Sequence, residues 1–431
     1  MPKPEKKQPP KKVVEFGGNN IEGVPVEIVQ CGGEKLYEYF TREKGIQHKG
    51  AMQMGQTIYR IPKKLPWRLP EALHEGYYPE LTNKDLSEAN DYIQQALTEA
   101  IELPFEAAYD IISMWIIGTW MPEVFETYPY LHFIGDKVCG KSKALKVLKR
   151  FSYRGVKTSS TKVAVLARLI ENKKATLLLD EFEYNERRHE DILEVLNAGN
   201  ETEDYYTRCY QQDGVWFDDF FEVAGFKALA GRTPLPDTLD SRCITVPMRQ
   251  QQDRRNVIWD TSSDFGTLEK LLICRNVITH KKTAEAPKNF IGTDWTDYIH
   301  KIRVKYRIEE IYLPILYIAK KVSQVSHKMI KEHLEEEVEN YKEDEKVSQY
   351  GEIVNAICRI LESYEAPEEI SSGDIATVIN EEISAASDRI SSVAVGKIMV
   401  SLGFKQRKSG SRRIWQINEK LLEEHKKRYV E

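Results

Sequence analysis

One short stretch, residues 135–142 (GDKVCGKS), restricts the fold of this chain more than any other part of the sequence. It matches G-x-x-x-x-G-K-[ST], in which the glycines let backbone N–H groups curl around phosphate oxygens, because no Cβ obstructs that path. Such a loop lies between a strand and a helix whose N-terminus favours anions. Lys141 is expected to contact the β- and γ-phosphates of a nucleotide, and the Ser142 hydroxyl is expected to join a Mg²⁺ shell. The predicted nucleotide-binding residues of the loop are Gly135, Asp136, Lys137, Val138, Cys139, Gly140, Lys141, Ser142 and Lys143.

A second motif, residues 177–181 (LLLDE), is an apolar strand that ends in two acids. We expect Asp180 to hold Mg²⁺ through its water shell and Glu181 to orient and polarise the attacking water. Strands that end in acids are common. The position of this one, after the phosphate loop with one helix between them, makes the pair of motifs typical of a nucleotide hydrolase.

The middle of the chain alternates apolar runs with segments of helical periodicity. Strands are predicted at residues 128–134, 175–179, 226–230 and 243–248, and helices at 84–101, 105–125, 141–151, 161–172, 191–196 and 308–322. Because each predicted strand is a continuous apolar run, the strands should form a parallel sheet covered by helices on both faces. The predicted fold class is therefore α/β with a P-loop core.

The composition excludes several classes of protein. With 431 residues, 41% hydrophobic and 30% charged, the chain can form two or three ordinary domains. A net charge of -5 excludes a generally basic nucleic-acid binder, so any DNA contact must come from local basic patches. The six cysteines include no C-x-x-C pair, which indicates reduced intracellular thiols rather than disulfides or a zinc site.

Two segments bear on location. The first dozen residues are charged and Pro-rich with no apolar stretch behind them, which predicts a disordered tail and no signal peptide. The most apolar run, residues 111–121, is shorter than the roughly 20 residues that a bilayer requires, so we expect a buried helix. Together they predict a cytoplasmic protein of a prokaryotic or virus-infected cell.

Four stretches together resemble one family: GDKVCGKS, TLLLDEFE, KALAG followed by LPDTLDSRCITVPMR, and RIEEIYLPILYIA. Through them, residues 128–320 resemble the replicative helicase-like ATPases of phages, plasmids and other mobile elements, which are relatives of the MCM-like AAA+ helicases. The third stretch is the one specific to this family. The resemblance implies an AAA+ core, a hexameric ring with ATP and Mg²⁺ between subunits, and single-stranded DNA threaded through the pore.

The resemblance also implies sensors of the γ-phosphate. Thr233 or Arg232 would occupy the sensor position after strand 226–230, although the segment is equally typical of a plain turn. Arg307, at the start of the helix in a lid-like segment, would be a second sensor. Its alternative is an ordinary i,i+3 ion pair with Glu310.

An arginine finger is implied at Arg242, which ends a short helix before the last core strand. It would reach the γ-phosphate bound to the neighbouring subunit and stabilise the charge of the transition state. The alternative is a surface arginine paired with Asp240. Lys141, Asp180, Glu181 and Arg242 are the predicted catalytic residues.

Residues 204–223 predict a β-hairpin with Asp213 and Gly214 at its turn. Helicases of the family grip DNA with a hairpin at this position, but here the tip contains no lysine. Arg208 is the nearby cation, and Tyr210 and Trp216 could stack on bases. The alternative is a purely structural hairpin.

The C-terminal segment predicts three helices, at residues 351–363, 372–382 and 391–402, followed by a basic strand-turn-strand. This order is that of a winged helix, with Val393, Ile398 and Met399 expected in the core and Lys397 and Ser392 facing solvent or a groove. The predicted DNA-binding cations are Arg208, Lys397, Lys405, Arg407, Lys408, Arg412 and Arg413. Residues 405–413 contain no acid, which favours phosphate binding and makes duplex DNA a candidate partner of the winged helix. The alternatives are a run that is merely solvated and a winged helix that binds protein.

We therefore expect four segments: a basic tail and small β-containing region or extended arm (1–80), an AAA+ domain with lid (81–322), a charged linker (323–350) and a winged helix (351–431). The expected function is an ATP-driven, ring-forming DNA helicase or translocase in replication of a mobile element or virus. The alternative is an AAA+ regulatory or assembly ATPase that binds DNA or protein without unwinding.

Overall fold

The computed structural model describes residues 12–77, 83–159, 162–182, 186–250, 263–279, 294–362, 369–381, 389–409 and 412–430. The tail predicted at the N-terminus lies outside these residues, apart from Lys12. The chain divides into two compact units, Met1–His333 and Leu334–Glu431. Among the described residues, no helix combines the length and the apolarity needed to cross a bilayer.

The first unit begins with short strands. They are β1 (Lys12–Glu15), β2 (Asn20–Ile21), β3 (Val24–Pro25), β4 (Glu27–Cys31), β5 (Glu34–Thr41), β6 (Gly45–Lys49), β7 (Ala51–Met54) and β8 (Thr57–Arg60). They form the sheets β1-β8-β7 and β4-β5-β6 and the pair β2-β3. Their shared core contains Ile21, Val26, Ile28, Tyr37 and Met52, so this segment is a β region rather than an extended arm.

A buried carboxylate joins these strands to the rest of the first unit. Glu27 accepts hydrogen bonds from the Tyr153 hydroxyl at 2.8 Å, from Arg154 Nη2 at 2.9 Å and from Arg275 Nε at 3.1 Å. Because a buried charge left without its partners is costly, these contacts hold the strands against the core.

The rest of the first unit is helix and strand in alternation. Its elements are α1 (Asn83–Ala100), α2 (Ala107–Thr119), a 3-10 turn (Pro122–Val124), β9 (Tyr130–Ile134), α3 (Lys141–Phe151), β10 (Val156–Thr158), α4 (Val163–Lys173), β11 (Leu177–Leu179), α5 (Glu186–Ala198), β12 (Tyr205–Gln212), β13 (Val215–Glu222), β14 (Lys227–Gly231), α6 (Asp237–Asp240), β15 (Cys243–Pro247), α7 (Ser263–Thr279), α8 (Trp295–Ile299) and α9 (Arg307–Val322). Residues 111–121 are buried throughout, as expected of a core helix.

Five strands form one parallel sheet in the order β10-β11-β14-β9-β15. The predicted α/β fold with a parallel sheet is thus confirmed. After β9 the chain moves to one side, through α3 to β10, whereas β15 lies on the other side of β9. In open sheets, ligands bind at the carboxyl ends of the strands beside such a reversal. The loop of residues 135–142 follows β9 at this position.

The second unit is smaller and mostly helical. Helix α10 (Gln324–Val347) crosses the boundary between the units and is followed by α11 (Gln349–Glu362), α12 (Ser372–Asn380), α13 (Ser392–Ser401), β16 (Lys405–Ser409), β17 (Arg412–Gln416) and α14 (Glu419–Tyr429). Strands β16 and β17 pair antiparallel. The core contains Ile357, Ile375, Val395, Met399 and Trp415.

One core prediction in this unit is wrong. Val393 is 69% exposed, and Val395 occupies the buried position of α13 instead. Met399 is buried and Ile398 packs against the core, as predicted. The helix begins after its N-cap Ser391, so its inward face contains Val395 and Met399, one turn apart.

Candidate nucleotide and DNA-binding sites

The predicted phosphate loop connects β9 to α3. Steric contacts and backbone conformation explain why two of its positions are glycine. A Cβ on Gly135 would come within 2.3 Å of the carbonyl oxygen of Met248, the residue after β15, which permits no side chain there. Gly140 has φ +95°, a left-handed conformation that favours glycine, immediately before α3 begins at Lys141. Val138 also has a positive φ and is exposed. The loop therefore turns sharply and presents its backbone at the start of a helix.

The Lys141 ammonium lies inside the curve of this loop. Its Nζ donates to the Gly135 carbonyl and, at 2.6 Å, to the Asp136 carbonyl, and lies 3.3 Å from Cys139 Sγ. The Asp136, Lys137 and Val138 side chains are exposed, whereas Cys139 is buried under the loop. The loop thus holds a cation where phosphates would be cradled.

The two motifs meet at Ser142 and Asp180. The Ser142 hydroxyl donates to the Asp180 carboxylate, with distances of 3.2 and 3.1 Å to its two oxygens. Asp180 follows β11, and its backbone N–H donates to the Thr158 carbonyl at 2.9 Å, which fixes the carboxylate at the end of the sheet. A hydroxyl and a carboxylate are the oxygen ligands that Mg²⁺ uses.

Sequence reasoning missed Lys157. Its Nζ lies 2.6 Å from Asp180 Oδ2, and both side chains are largely buried. Lys157 is the central residue of β10 and pairs in register with Leu178 of β11. The only signal in the sequence was a lysine within a short β-type segment, which does not reveal a neighbouring strand.

Glu181 is exposed and has φ +55°, an uncommon conformation for a residue other than glycine. The next residue, Phe182, donates its N–H to the Ala230 carbonyl at 2.8 Å. A Cβ on Gly231 would come within 2.2 Å of the Phe182 carbonyl oxygen, so β11 and β14 end in close contact. The residues on both sides of Glu181, Asp180 and Phe182, are thus hydrogen-bonded to neighbouring strands.

The predicted sensors and finger lie around the same end of the sheet. Thr233 and Arg232 are exposed just beyond β14. Arg242 follows α6 and donates to the Thr238 carbonyl, while its Nε is buried without a hydrogen-bond partner among the described residues. Arg242 and Asp240 are both among the described residues, and no ion pair joins them. Burial raises the pKa of the Asp240 carboxyl.

Arg307 makes the ion pair that was the alternative to a sensor role. Its Nη1 lies 2.7 Å from Glu310 Oε2, and its Nη2 contacts Glu201 and Asn200. The guanidinium thus joins the start of α9 to the segment after α5.

The predicted hairpin is present as β12 and β13, with Asp213 and Gly214 at the turn. Tyr206 and Phe221 are buried at its base, and the outer residues are exposed on both faces. Tyr210 and Phe217 stack with ring centroids 5.6 Å apart. Arg208 lies directly opposite Asp219 in the register.

A buried lysine fastens the base of this hairpin. Lys227, the first residue of β14, donates at 2.9 Å to each of the carbonyls of Gly199, Val223 and Gly225. It also lies 4.8 Å from the centroid of the Tyr130 ring. Burial lowers the pKa of the Lys227 ammonium, and the carbonyl oxygens offset part of the lost hydration.

In the second unit, Lys405, Arg407 and Lys408 on β16 and Arg413 on β17 are exposed, as is Lys397 on α13. Arg412 lies on β17, next to Arg413. Glu369 lies 3.7 Å from Arg407. The structure therefore brings the predicted cations of this unit to one hairpin and one adjacent helix.

No protein-family model and no curated protein matches the chain. Among solved structures, an MCM homolog from Methanopyrus kandleri has 14% identity over 72% of this chain and 73% of its own, with a TM-score of 0.34. The C-terminal region of NrS-1 has 12% identity over 91% and 95%, with a TM-score of 0.34. Drosophila ORC bound to DNA has 10% identity over 83% and 95%, with a TM-score of 0.19. At these values, the function has to be inferred from the chain's own residues.

Proposed function

We propose that this chain is an ATP-driven DNA helicase or translocase of the AAA+ type, acting as a ring of identical subunits in replication of a mobile element or virus. The observation that carries the proposal is the cluster of Lys141, Ser142 and Asp180 at the carboxyl end of the parallel sheet. It combines a phosphate-binding cation with two oxygen ligands beside a loop shaped by Gly135 and Gly140.

In this mechanism Lys141 exchanges its loop carbonyls for the β- and γ-phosphates of ATP. Ser142 and Asp180 would hold Mg²⁺, which neutralises charge on the phosphate oxygens. Lys157 is a positioning residue, because its ion pair fixes the Asp180 carboxylate. Glu181, exposed beyond the same strand, orients the attacking water.

Arg242 is the proposed finger. Its guanidinium contacts a backbone carbonyl rather than a carboxylate, so little has to be broken when it meets a phosphate of the neighbouring subunit. Thr233 is the proposed sensor. Arg307 serves as a second sensor only if nucleotide binding releases it from Glu201 and Glu310.

For the DNA, we propose that single strands contact the aromatic residues of β12 and β13 in the pore. We also propose that the second unit is a winged helix whose cations meet phosphates. The order of three helices and a basic hairpin supports this assignment.

The test is the steady-state rate of ATP hydrolysis with and without single-stranded DNA. We expect clear stimulation by DNA, severe loss in Lys141→Ala, and loss of hydrolysis with retained ATP binding in Arg242→Ala. If the arginine acts in trans, mixing these two variants restores part of the activity. Near-normal turnover by Lys141→Ala would overturn the nucleotide site.

The second candidate is a regulatory or assembly ATPase that does not unwind. The acidic side chains of the β12–β13 hairpin, Asp213, Asp218, Asp219 and Glu222, favour it because they repel phosphates. A strand-displacement assay separates the candidates. A regulatory or assembly ATPase would form ATP-dependent complexes with DNA or protein without displacing a strand.

A further inference from the structure

The outward face of α13 has an unusual composition for a solvated helix. It exposes Val393 and Val400, at 69% and 63%, together with Ser392, Lys397 and Ser401. The helix contains no acidic residue. By contrast, α14 exposes mostly charged side chains, such as Glu423, Glu424 and Lys427. Two valines seven positions apart lie on the same face of a helix, so the exposed surface is a small apolar stripe with one cation.

This stripe borders a cleft of about 620 Å³ in the second unit. The cleft is lined by Val393, Lys397 and Val400 of α13, by Ser372 and Gly373 at the start of α12, and by Arg413 of β17. Ser372 Oγ accepts a hydrogen bond from the Trp415 indole N–H at 2.9 Å, which fixes the hairpin beside α12. The apolar stripe and the basic hairpin thus share one concave surface.

We infer that this surface reads duplex DNA, with α13 in the major groove and its valines against the C5-methyl groups of thymines. The major groove admits an α-helix and exposes the thymine methyl, the one apolar group on the base edges there. Side chains as short as valine and serine allow the helix to approach closely.

Charge complementarity identifies the occupant. Lys397 lies within the stripe, between the two valines, Arg413 lines the same cleft, and Lys405, Arg407 and Lys408 continue the positive charge along the hairpin. Glu369, near Arg407, is the acidic group in contact with it. The arrangement places cations for phosphates on the base-reading helix and on the hairpin beside it. The inference rests on the proposed DNA function only for the class of partner, since unwinding itself requires no base reading.

The experiment uses the full chain and two duplexes of alternating A·T sequence, one with thymine and one with deoxyuridine, which lacks the methyl. In such duplexes every base pair carries a methyl, so the register of binding does not matter. We expect the thymine duplex to bind about threefold to fourfold more tightly for each methyl contacted. The double variant Val393→Ser/Val400→Ser should lose this discrimination and keep its salt dependence.

Controls separate base reading from other effects. Val325→Ser, at a valine of the first unit that is 74% exposed, should leave the discrimination unchanged. Arg413→Gln should lower the slope of log affinity against log salt by about one unit and keep the discrimination. The rate of ATP hydrolysis is measured in parallel. Its loss would show that the proposed function fails, whatever the duplex titrations show about base reading.

Two outcomes overturn the inference. Equal affinity of the wild type for both duplexes, with a normal salt slope, means that the surface meets phosphates only. Unchanged affinity in both the valine and the Arg413 variants means that the surface binds another partner, such as a protein.

Discussion

The β12–β13 hairpin of the first unit and the β16–β17 hairpin of the second unit have opposite chemistry. The β12–β13 hairpin exposes aromatic residues on long strands and carries one cation, Arg208, among several acids. The β16–β17 hairpin has short strands, and residues 405–413 contain five cations and no acid. Charge therefore favours the second hairpin for the proposed phosphate contacts, whereas the first suits bases or protein.

The hairpins also differ in how they are held. In β16–β17 the consecutive residues Ile414 and Trp415, which point to opposite faces of the strand, are both buried. The β12–β13 hairpin is exposed on both faces beyond Tyr206 and Phe221, and an isolated two-stranded ribbon is marginally stable in water. Its base must therefore be fixed from outside, and Lys227 provides that attachment.

The largest effect is expected from Lys227→Met, which tests the attachment of the first hairpin. The substitution keeps the apolar stem but removes the hydrogen bonds to Gly199, Val223 and Gly225. We expect a loss of about 3 kcal/mol in the free energy of unfolding of the first unit, measured by denaturant titration. A matched control is Lys146→Met, an exposed lysine on α3, which should change little. Equal stability of the two variants would show that the base is held by other contacts.

The next effect tests the phosphate assignment. The triple variant Arg407→Gln/Lys408→Gln/Arg413→Gln should lower duplex affinity by about a hundredfold at low salt and the salt slope by about 2.7. The measurement is fluorescence anisotropy over a salt series.

Its control makes the same change of charge elsewhere. Lys301, Arg303 and Lys305 are exposed in the first unit, and their replacement by Gln should leave the slope nearly unchanged. If both triple variants lose affinity equally, DNA binding follows the total charge, and the contrast between the hairpins disappears.

The third effect concerns the aromatic hairpin. Trp216 is 67% exposed, and its replacement by Ser should weaken single-stranded DNA affinity about tenfold without changing the salt slope, because stacking involves no phosphate. The same titration on Val215→Ser serves as the control. If Trp216→Ser instead dissociates the assembly in sedimentation and leaves DNA affinity intact, the hairpin is a contact between subunits.

The sequence predicted local features much better than contacts between distant segments. The bounds of α3 and the hairpin turn at Asp213 and Gly214 were predictable, since both follow from glycine chemistry and local periodicity. Helix α7 was missed, because its fully buried residues include Asp264, Arg275 and Asn276, which obscure the apolar pattern. Their partners lie far away in the chain: Arg275 contacts Glu27, and Asn276 contacts Glu38.

The candidate site divides in the same way. The phosphate loop and Asp180 carry recognisable motifs, so they could be proposed from the sequence. Lys157 could not, because its role depends on the register of β10 against β11. Val393 was misassigned to the core, since an apolar residue on a short helix is usually buried. Its exposure is visible only when α13 is packed against α12.

The smallest effect is expected at Arg208, the cation first predicted to grip DNA. In the antiparallel register it lies opposite Asp219, and such cross-strand charges largely neutralise each other. Arg208→Gln should therefore change single-stranded DNA affinity by less than about twofold. Asp219→Asn should strengthen binding slightly, since it leaves the arginine without its facing acid. A large loss in Arg208→Gln, together with a salt slope lowered by about one unit, would show that this arginine meets a phosphate. The acidic β12–β13 hairpin would then contact the DNA phosphate backbone, as the basic β16–β17 hairpin is proposed to do.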